Sequence, residues 1–314
     1  MTHLIIPHLI MGRQIEQASG SATTLCWTCG SCDFECPVNI ATGRLRPQKI
    51  VRMANLGLRD ELLHLPEIWY CLNCRRCMNV CPNAVSPCTL IEFVRSDALV
   101  KGMVSLDTLR RYQDLFTRFQ RVRWHTVKHC FKEDFEWVTD RMWHDWLEQA
   151  VPSATSHITV QVPNPQGKHV KAMTTSCGTL ACFTCGECSS ACPVDCEASV
   201  FDPRVLFRMI NLGLMDELMR SPSIWLCIDC GRCTEFCSQL VDGRQMIEQI
   251  KELAVKRNVV DRDFFLRVER ANRIIYKRFL NEIDLLIQLA PEKHVVSGNL
   301  NTILPDPSLE QANE

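Results

Sequence analysis

One cysteine spacing, C-x2-C-x2-C-x3-C, occurs four times in this chain of 314 residues. The four copies contain sixteen of its twenty cysteines. Tightly clustered thiols are typical of metal ligands, whereas disulfide-rich secreted domains usually spread their cysteines along the chain. The start of the sequence, Met1 to Gln14, also lacks the basic and long apolar pattern of a signal peptide. We therefore interpret the four motifs as metal-binding sites in a cytoplasmic protein.

The sequence also repeats itself after 156 residues without a gap. Every motif cysteine from Cys26 to Cys81 coincides with one between Cys182 and Cys237, and 26 of the 56 positions in this span are identical. Two copies are too few for a solenoid. The repeat therefore predicts that one module has been duplicated and fused.

The segments between the motifs have helical periodicity. Pro47 and Pro203 stand where a helix can begin, and apolar residues follow each of them at helical spacing. A further amphipathic helix is predicted from Gly243 to about Lys256, and residues 105–150 also look helical. Only Ile158–Val162 resembles a short strand. These patterns predict a mainly α protein.

We expect two tandem helical modules joined by a helical linker. The predicted boundaries are 1–100 for the first module, 101–176 for the linker with its strand and turn, 177–290 for the second module and 291–314 for a polar tail.

The spacing within each motif predicts how the clusters are held. Three cysteines two residues apart suit one cluster, while the fourth cysteine of such a run binds the neighbouring cluster in two-cluster ferredoxins and is often followed by proline. Proline follows three of the four runs, and Ser238 follows the last. The crossed assignment predicts four [4Fe–4S] clusters, two in each helical ferredoxin module, with these ligands: Cys26, Cys29, Cys32 and Cys81; Cys71, Cys74, Cys77 and Cys36; Cys182, Cys185, Cys188 and Cys237; and Cys227, Cys230, Cys233 and Cys192.

Zinc is the alternative metal, because it also binds C-x2-C pairs. A structural zinc site needs two such pairs and gives no reason for a third cysteine at the same spacing, so we favour clusters. Four thiolates for every cluster leave no iron open to a substrate. The pattern therefore indicates a one-electron relay without a catalytic residue of its own. Arg76 and Arg232, which lie between ligands, are expected to offset the negative charge of the clusters.

Four cysteines lie outside the motifs: Cys88, Cys130, Cys177 and Cys196. Free cysteine is among the most buried residue types, and we interpret these four as small apolar side chains or inert thiols.

Other features exclude several functions. The net charge of −1 gives no support for nucleic-acid binding, and the sequence contains no glycine-rich dinucleotide fingerprint. No apolar run reaches the length of about 18–20 residues that spans a bilayer. Any membrane association is therefore expected to be peripheral or through a partner.

The order of motifs in each half resembles the C subunit of heterodisulfide reductase. The resemblance is carried by the cysteine run followed by Pro-Val, the Pro-x4-Arg-Met-x-Asn-Leu-Gly-Leu segment, Ile-Trp-x-Cys and the second cysteine run. It covers roughly residues 20–98 and 177–256, and it implies the alpha-helical ferredoxin fold. Members of that family normally contain one such module, whereas this chain contains two.

The resemblance also implies partners. In that family, the C subunit passes electrons between a flavin-containing A subunit and a B subunit whose CCG motifs hold the catalytic clusters. It thus implies an electron-transfer subunit of a heterodisulfide reductase-like complex. Two alternatives stay open at this point: the iron–sulfur subunit of a dehydrogenase that delivers electrons to a membrane quinone partner, and a free soluble electron carrier.

Overall fold

The computed structural model describes residues 6–132, 137–152, 176–194, 197 and 200–288. Within these ranges the chain is built from helices and turns, without a strand. The predicted strand at 158–162, the polar tail from residue 291 and Cys196 lie outside the described residues. The prediction of a mainly α fold with two tandem modules is confirmed.

The described residues of the first half form eight α-helices. In order they are α1 (Leu9–Ser19), α2 (Ser31–Glu35), α3 (Pro37–Thr42), α4 (Pro47–Asn55), α5 (Arg59–Leu63), α6 (Arg76–Asn79), α7 (Pro87–Val100) and α8 (Leu106–Cys130).

Seven helices follow in the described part of the second half. They are α9 (Asp140–Glu148), α10 (Glu187–Ala191), α11 (Pro203–Asn211), α12 (Met215–Arg220), α13 (Arg232–Glu235), α14 (Gly243–Lys256) and α15 (Phe264–Gln288). Within the described ranges, no helix combines the length and the apolar character that a bilayer crossing requires.

The helix boundaries predicted from sequence are confirmed at several points. Pro47 and Pro203 are the first residues of α4 and α11, because the fixed φ of proline suits the first helical turn. The predicted helix Gly243–Lys256 is α14, with the same bounds. The predicted helical stretch 105–150 contains α8 and α9.

Gly57 ends the α4 segment and lets α1 approach it closely. Its φ is +70°, a left-handed conformation that favours glycine. A Cβ at this position would lie 2.0 Å from the carbonyl oxygen of His8, which precedes α1. The amide of His8 donates to the carbonyl of Leu56 at 2.8 Å. Glycine is therefore required for α1, α4 and α7 to pack together around the buried Ile15, Ile50 and Leu90.

The fold forms two compact units. One contains the described residues up to Gln113 together with those from Tyr276 onward, and the other runs from Asp114 to Ile275. The boundaries between the units fall within α8 and within α15. These two helices occupy equivalent places in the repeat, since their bounds differ by almost 156 residues, the length of the repeat. Each unit therefore contains the C-terminal part of the other half's last helix.

Contacts inside each unit show what these helix ends do. In the first unit, Asp284 of α15 accepts from Arg44 at 2.6 Å and from the hydroxyl of Tyr70. In the second unit, Arg123 of α8 donates to the carbonyl of Leu226 at 2.8 Å. Tyr70 and Leu226 are equivalent in the repeat, and each immediately precedes a cysteine motif. The C-terminal part of α15 in the first unit and that of α8 in the second thus contact the residue just before the second cysteine motif of the unit.

Candidate metal centres

The loop inside each cysteine motif follows one backbone path. Two residues of the first loop, Thr28 and Gly30, have φ values of +56° and +83°, and their equivalents in the other three loops are also positive: Asn73 and Arg75, Thr184 and Gly186, Asp229 and Gly231. Left-handed residues at these two places curl the short loop, so that successive cysteines turn toward one side.

The curl also points backbone N–H groups at sulfur. The amide of Thr28 lies 3.4 Å from Cys26 Sγ, and the same contact at 3.4 Å joins Asn73 to Cys71 and Asp229 to Cys227. Donors of this kind stabilise negative charge on a thiolate. The loops are therefore built to hold anionic sulfur.

The first cavity is lined by cysteines from two motifs. Cys26, Cys29 and Cys32 come from the first motif, and Cys81 is the last cysteine of the second. Including the space that opens to solvent, as for the cavities below, its volume is about 360 Å³, and Trp27, Val51, Val85 and Pro87 contribute to its walls.

A second cavity in the same unit has the reciprocal composition. Its volume is about 330 Å³, and it is lined by Cys71, Cys74 and Cys77 of the second motif and by Cys36, the last cysteine of the first. A third cavity, of about 350 Å³ in the second unit, is lined by Cys227, Cys230, Cys233 and Cys192. The three cavities thus have nearly equal size and four motif cysteines each.

The four remaining predicted ligands are Cys182, Cys185, Cys188 and Cys237. Cys185 is exposed, as its equivalent Cys29 is. The pKa of Cys188 is raised, mainly by burial and in part by the nearby charge of Cys182. Cys237 Sγ accepts from the amide of Val241 at 3.4 Å. Helix α10 packs on α13 as α2 packs on α6, so the elements around these cysteines repeat those of the first unit.

Burial dominates the electrostatics of the inner cysteines. It raises the pKa of Cys36 and of Cys32 to about 12 and that of Cys227 to about 11. The exposed Cys29 differs, because hydrogen bonds from Ser31 lower its pKa. A metal that binds the buried thiols must therefore displace protons from them, and the negative charge that results needs compensation.

A cation near the second motif contributes to this compensation in both units. Arg95 of α7 donates to the carbonyls of Ile68 and Cys71, both at 2.7 Å. Lys251 of α14, its equivalent, donates to the carbonyl of Cys227 at 3.4 Å and contacts Asp229. Arg76, which the sequence also pointed to, forms an ion pair with Glu35 at 2.5 Å, and the predicted role of Arg76 and Arg232 in offsetting the cluster charge stays a prediction.

The donor set fits a polynuclear iron–sulfur cluster better than a single ion. Four motif thiols line each of the three cavities, and apolar side chains contribute to the remaining walls. Among the described residues, no three His, Cys, Asp or Glu side chains are placed to hold one metal ion. Zinc requires its sulfur ligands about 2.3 Å from one point. A [4Fe–4S] cluster needs four thiolates around a larger core, and each of the three cavities offers four motif cysteines.

Two residues of the cavities were not predicted as part of them. Cys88, which the sequence suggested to be an inert thiol, lines the cavity of Cys36, Cys71, Cys74 and Cys77. Arg244 lines the corresponding cavity of the second unit. The two positions are equivalent in the repeat, so aligning the halves beyond the last cysteine would have drawn attention to both. Cys130 and Cys177 are buried, as predicted.

Comparison with known proteins agrees with this geometry. A family model described as a 4Fe-4S dicluster domain matches residues 22–85 and again residues 175–241. The C subunit of the H(2):CoB-CoM heterodisulfide,ferredoxin reductase of Methanothermobacter thermautotrophicus is 33% identical over 95 residues, which are 29% of this chain and 49% of that protein. The iron-sulfur C subunit of the CoB--CoM heterodisulfide reductase of Methanopyrus kandleri is 34% identical over 77 residues, 24% of this chain and 40% of that protein.

A third relative, from Archaeoglobus profundus, is named as a protein like the C subunit of heterodisulfide reductase. It is 31% identical over 99 residues, or 31% of this chain and 53% of that protein. The chain thus spans about half the length of the curated relatives that it matches. The matched motifs, the repeated dicluster domain and the four-thiol cavities agree with one another. The chain is an iron–sulfur protein like the C subunit of heterodisulfide reductase, with two tandem 4Fe–4S dicluster domains.

Proposed function

We propose that the chain is the electron-transfer subunit of a heterodisulfide reductase-like complex, in which it relays single electrons between a flavoprotein and a thiol/disulfide catalytic subunit. The observation that carries the proposal is the composition of the cavities, each lined by three cysteines of one motif and the last cysteine of the other. The names of the relatives, which describe the C subunit of heterodisulfide reductases, support the choice of complex.

The proposal includes four [4Fe–4S] clusters with the sixteen motif cysteines as ligands. The crossed linings of the three cavities support this assignment, and the repeated backbone around Cys182, Cys185, Cys188 and Cys237 supports a fourth site of the same kind. When bound, each cluster supplies a centre that accepts and releases one electron. The protein contributes the thiolates, the backbone donors to sulfur and the apolar walls, which together set the reduction potentials.

Catalysis is assigned to other chains. Every motif cysteine is used as a ligand in the crossed scheme, so no iron is left with an open position. The sequence also contains no adjacent pair of cysteines, which the CCG motif of the catalytic chain requires. We therefore propose two partners of the heterodisulfide reductase type, the CCG-motif B subunit and the flavin-containing A subunit. We propose a cytoplasmic location, with any membrane association through a partner.

The exposed side of the first cavity suits electron exchange with a partner. Cys29 is exposed, and the neighbouring Trp27 has 74% of its surface accessible. Phe183, the equivalent of Trp27 in the second unit, is 59% exposed. Large exposed aromatic side chains are enriched in protein interfaces. Each unit therefore offers an apolar contact next to a cysteine motif.

Anaerobic purification of the protein from its native host, followed by identification of the proteins that co-elute, tests the proposed complex. We expect a flavoprotein and a CCG-motif subunit, and we expect the EPR signals of reduced clusters to appear when the electron donor of that flavoprotein is added. Co-elution with a membrane quinone subunit, or elution without partners, would contradict the proposed complex while leaving the cluster assignment open to separate metal analysis.

A further inference from the structure

The second left-handed position of the cysteine-motif loops holds glycine in three loops and arginine in one. Gly30, Gly186 and Gly231 have φ values of +83°, +92° and +78°, whereas Arg75 has a φ of +62°. Glycine adopts this conformation freely, while a residue with a Cβ is strained in it. Because the same loop forms with glycine in three other places, the strain at Arg75 indicates that its side chain has a function.

Arg75 lies in the wall of the second cavity, which is lined by Cys36, Cys71, Cys74 and Cys77. Among the described residues of that wall it is the one with a charged side chain, because the others, apart from the cysteines, are apolar. The residue is partly buried, and its Nε is out of contact with solvent. Arginine stays protonated in proteins, and a charge in such a place is screened less than one in open water. Arg75 therefore places a fixed positive charge beside the proposed cluster.

The second unit has an arginine in the equivalent cavity, but from another position of the chain. The third cavity has Gly231 at the place of Arg75 and Arg244 at the place of Cys88. Arg244 is the one charged side chain that the structure describes in that wall. A Cβ on Gly231 would lie 3.7 Å from Cδ of Arg244, so the side chain of Arg244 passes beside the point where a side chain at 231 would begin. The motif loop in one unit and helix α14 in the other thus supply an arginine to the same side of equivalent cavities.

The first cavity differs from these two. The polar side chains that the structure describes in its wall, apart from the cysteines, are the neutral Ser31, Gln48 and Asn83. In the three described cavities an arginine therefore accompanies the cysteines of the second motif of a unit, and none accompanies those of the first motif in the first unit.

We propose that Arg75 and Arg244 have the same role, in which each raises the reduction potential of the cluster held mainly by the second motif of its unit. Reduction adds one negative charge to a cluster and its thiolates, and a fixed positive charge nearby stabilises that added charge. Both arginines are tuning residues, and neither is a ligand. This inference rests on the proposed assignment of four clusters.

Redox titration of the full-length protein, followed by EPR, tests the inference. Variant Arg75→Gln removes the charge but keeps a side chain in the left-handed loop, and it should shift one of the four potentials to a more negative value at unchanged iron content. Variant Arg75→Lys keeps the charge and should keep most of the wild-type potential. Variant Arg244→Gln should shift a different one of the four potentials, and by less, because Arg244 is exposed and its charge is screened better.

An exchange between the halves separates the charge from its position in the chain. The double variant Arg75→Gly with Cys88→Arg copies the second unit and should recover most of the potential that is lost in Arg75→Gly alone. The reciprocal exchange, Gly231→Arg with Arg244→Cys, should likewise recover the loss in Arg244→Cys alone. Variant Arg13→Gln is the matched control, because Arg13 is exposed on α1 and lines none of the described cavities, and it should leave all four potentials unchanged.

Several results would overturn the inference. Unchanged potentials in Arg75→Gln would do so, as would an equal shift in Arg75→Lys, which would exclude charge as the cause. Loss of about four iron atoms from Arg75→Gln would also overturn it, because the arginine would then be needed to bind the cluster. A wild-type iron content far below about sixteen atoms, four for each of four clusters, contradicts the proposed cluster assignment itself, so the two failures are distinguishable.

Discussion

The two halves of the chain bury different side chains at equivalent positions of one fold. In the first half, Arg59 of α5 forms a two-pronged ion pair with Asp97 of α7, with both N···O distances at 2.8 Å and less than a tenth of either side chain exposed. The equivalent residues of the second half are Met215 and Leu253. Replacing a buried ion pair by an apolar pair of similar volume often leaves the free energy of unfolding nearly unchanged. Removing only one of the two charged partners lowers it strongly, because the other charge stays buried without a partner. The first half thus has the ion pair at these positions, and the second half has the apolar pair.

A second difference concerns the start of the equivalent helices α4 and α11. In the first half, Asp33 accepts from the amide of Gln48 at 2.8 Å and binds Arg46 at 3.2 Å. In the second half, position 189 is serine and position 202 is aspartate, and Asp202 accepts from the amide of Arg204 at 2.8 Å. In the first half the carboxylate comes from the neighbouring helix α2, whereas in the second half it comes from the residue just before α11. In both halves it accepts from the equivalent backbone amide. The comparison shows that the function of the contact is preserved while its source changes.

The largest effect is expected from paired removal of cysteines. Under the crossed assignment, Cys26→Ala with Cys81→Ala removes ligands of one cluster, whereas Cys26→Ala with Cys36→Ala removes ligands of two clusters. Anaerobic iron analysis should therefore show a loss of about four iron atoms in the first double variant and about eight in the second.

The equivalent pairs in the second half sharpen the comparison. Cys182→Ala with Cys237→Ala should again remove one cluster, and Cys182→Ala with Cys192→Ala should remove two. The reverse pattern, with about eight iron atoms lost from the first kind of pair and about four from the second, would mean that each motif holds its own cluster and that the crossed scheme is wrong.

The next largest effect is expected at the buried ion pair. Asp97→Leu leaves the guanidinium of Arg59 buried without its carboxylate, and this should lower the free energy of unfolding by about 3–5 kcal/mol. The double variant Arg59→Met with Asp97→Leu copies the second half and should recover most of the loss. Anaerobic thermal unfolding of the loaded protein, followed through cluster absorbance, compares the variants. A double variant as unstable as the single one would show that the halves are not interchangeable here.

A smaller effect is expected at the helix starts. Asp202→Ala removes the side chain that accepts from Arg204 and Val205, and such a change costs about 1 kcal/mol. The exchange Ser189→Asp with Asp202→Arg recreates the arrangement of the first half and should lie close to the wild type in the same unfolding measurement. If the exchange is less stable than Asp202→Ala, the position of the carboxylate matters more than its presence.

The smallest effect is expected at Cys130, whose equivalent in the second half is Leu286. Burial raises the pKa of Cys130 to about 12, so at pH 8 the thiol keeps its proton and only about one molecule in ten thousand carries the reactive thiolate. Iodoacetamide at pH 8 should therefore leave Cys130 unmodified in the folded protein and modify it after unfolding, as mass spectrometry can show. Rapid modification of the folded protein would contradict its burial.

The sequence was a good guide to the fold because its strongest signals are local. Proline at positions 47 and 203 and the apolar spacing after them depend on a few neighbouring residues, and α4 and α11 begin as predicted. The cysteine spacing likewise predicted which motifs share a cavity in the three described cases, although the ligand roles stay a prediction.

The features that were missed depend on contacts distant in sequence. Nothing in the apolar pattern of α15 indicates that its C-terminal part belongs with Arg44 and Tyr70, more than two hundred residues earlier. Cys88 was considered on its own, where burial is the ordinary expectation, and its place in the wall of the second cavity depends on the position of α7 relative to the second motif. The ion pair of Arg76 with Glu35 of α2 was likewise not predicted, because the two residues are 41 positions apart in the sequence.

Each unit contains the C-terminal part of a helix from the other half, and this has a consequence for the order in which the units are completed during synthesis. The side chains of Arg44 and Tyr70 meet Asp284 only after the second half has left the ribosome, because Asp284 lies in α15. The first unit is therefore completed only when α15 has been synthesised. The second unit does not wait in this way, because its part of α8 is synthesised before the rest of it. Iron–sulfur assembly factors acting during translation would meet an N-terminal half that is open on one side until α15 has emerged.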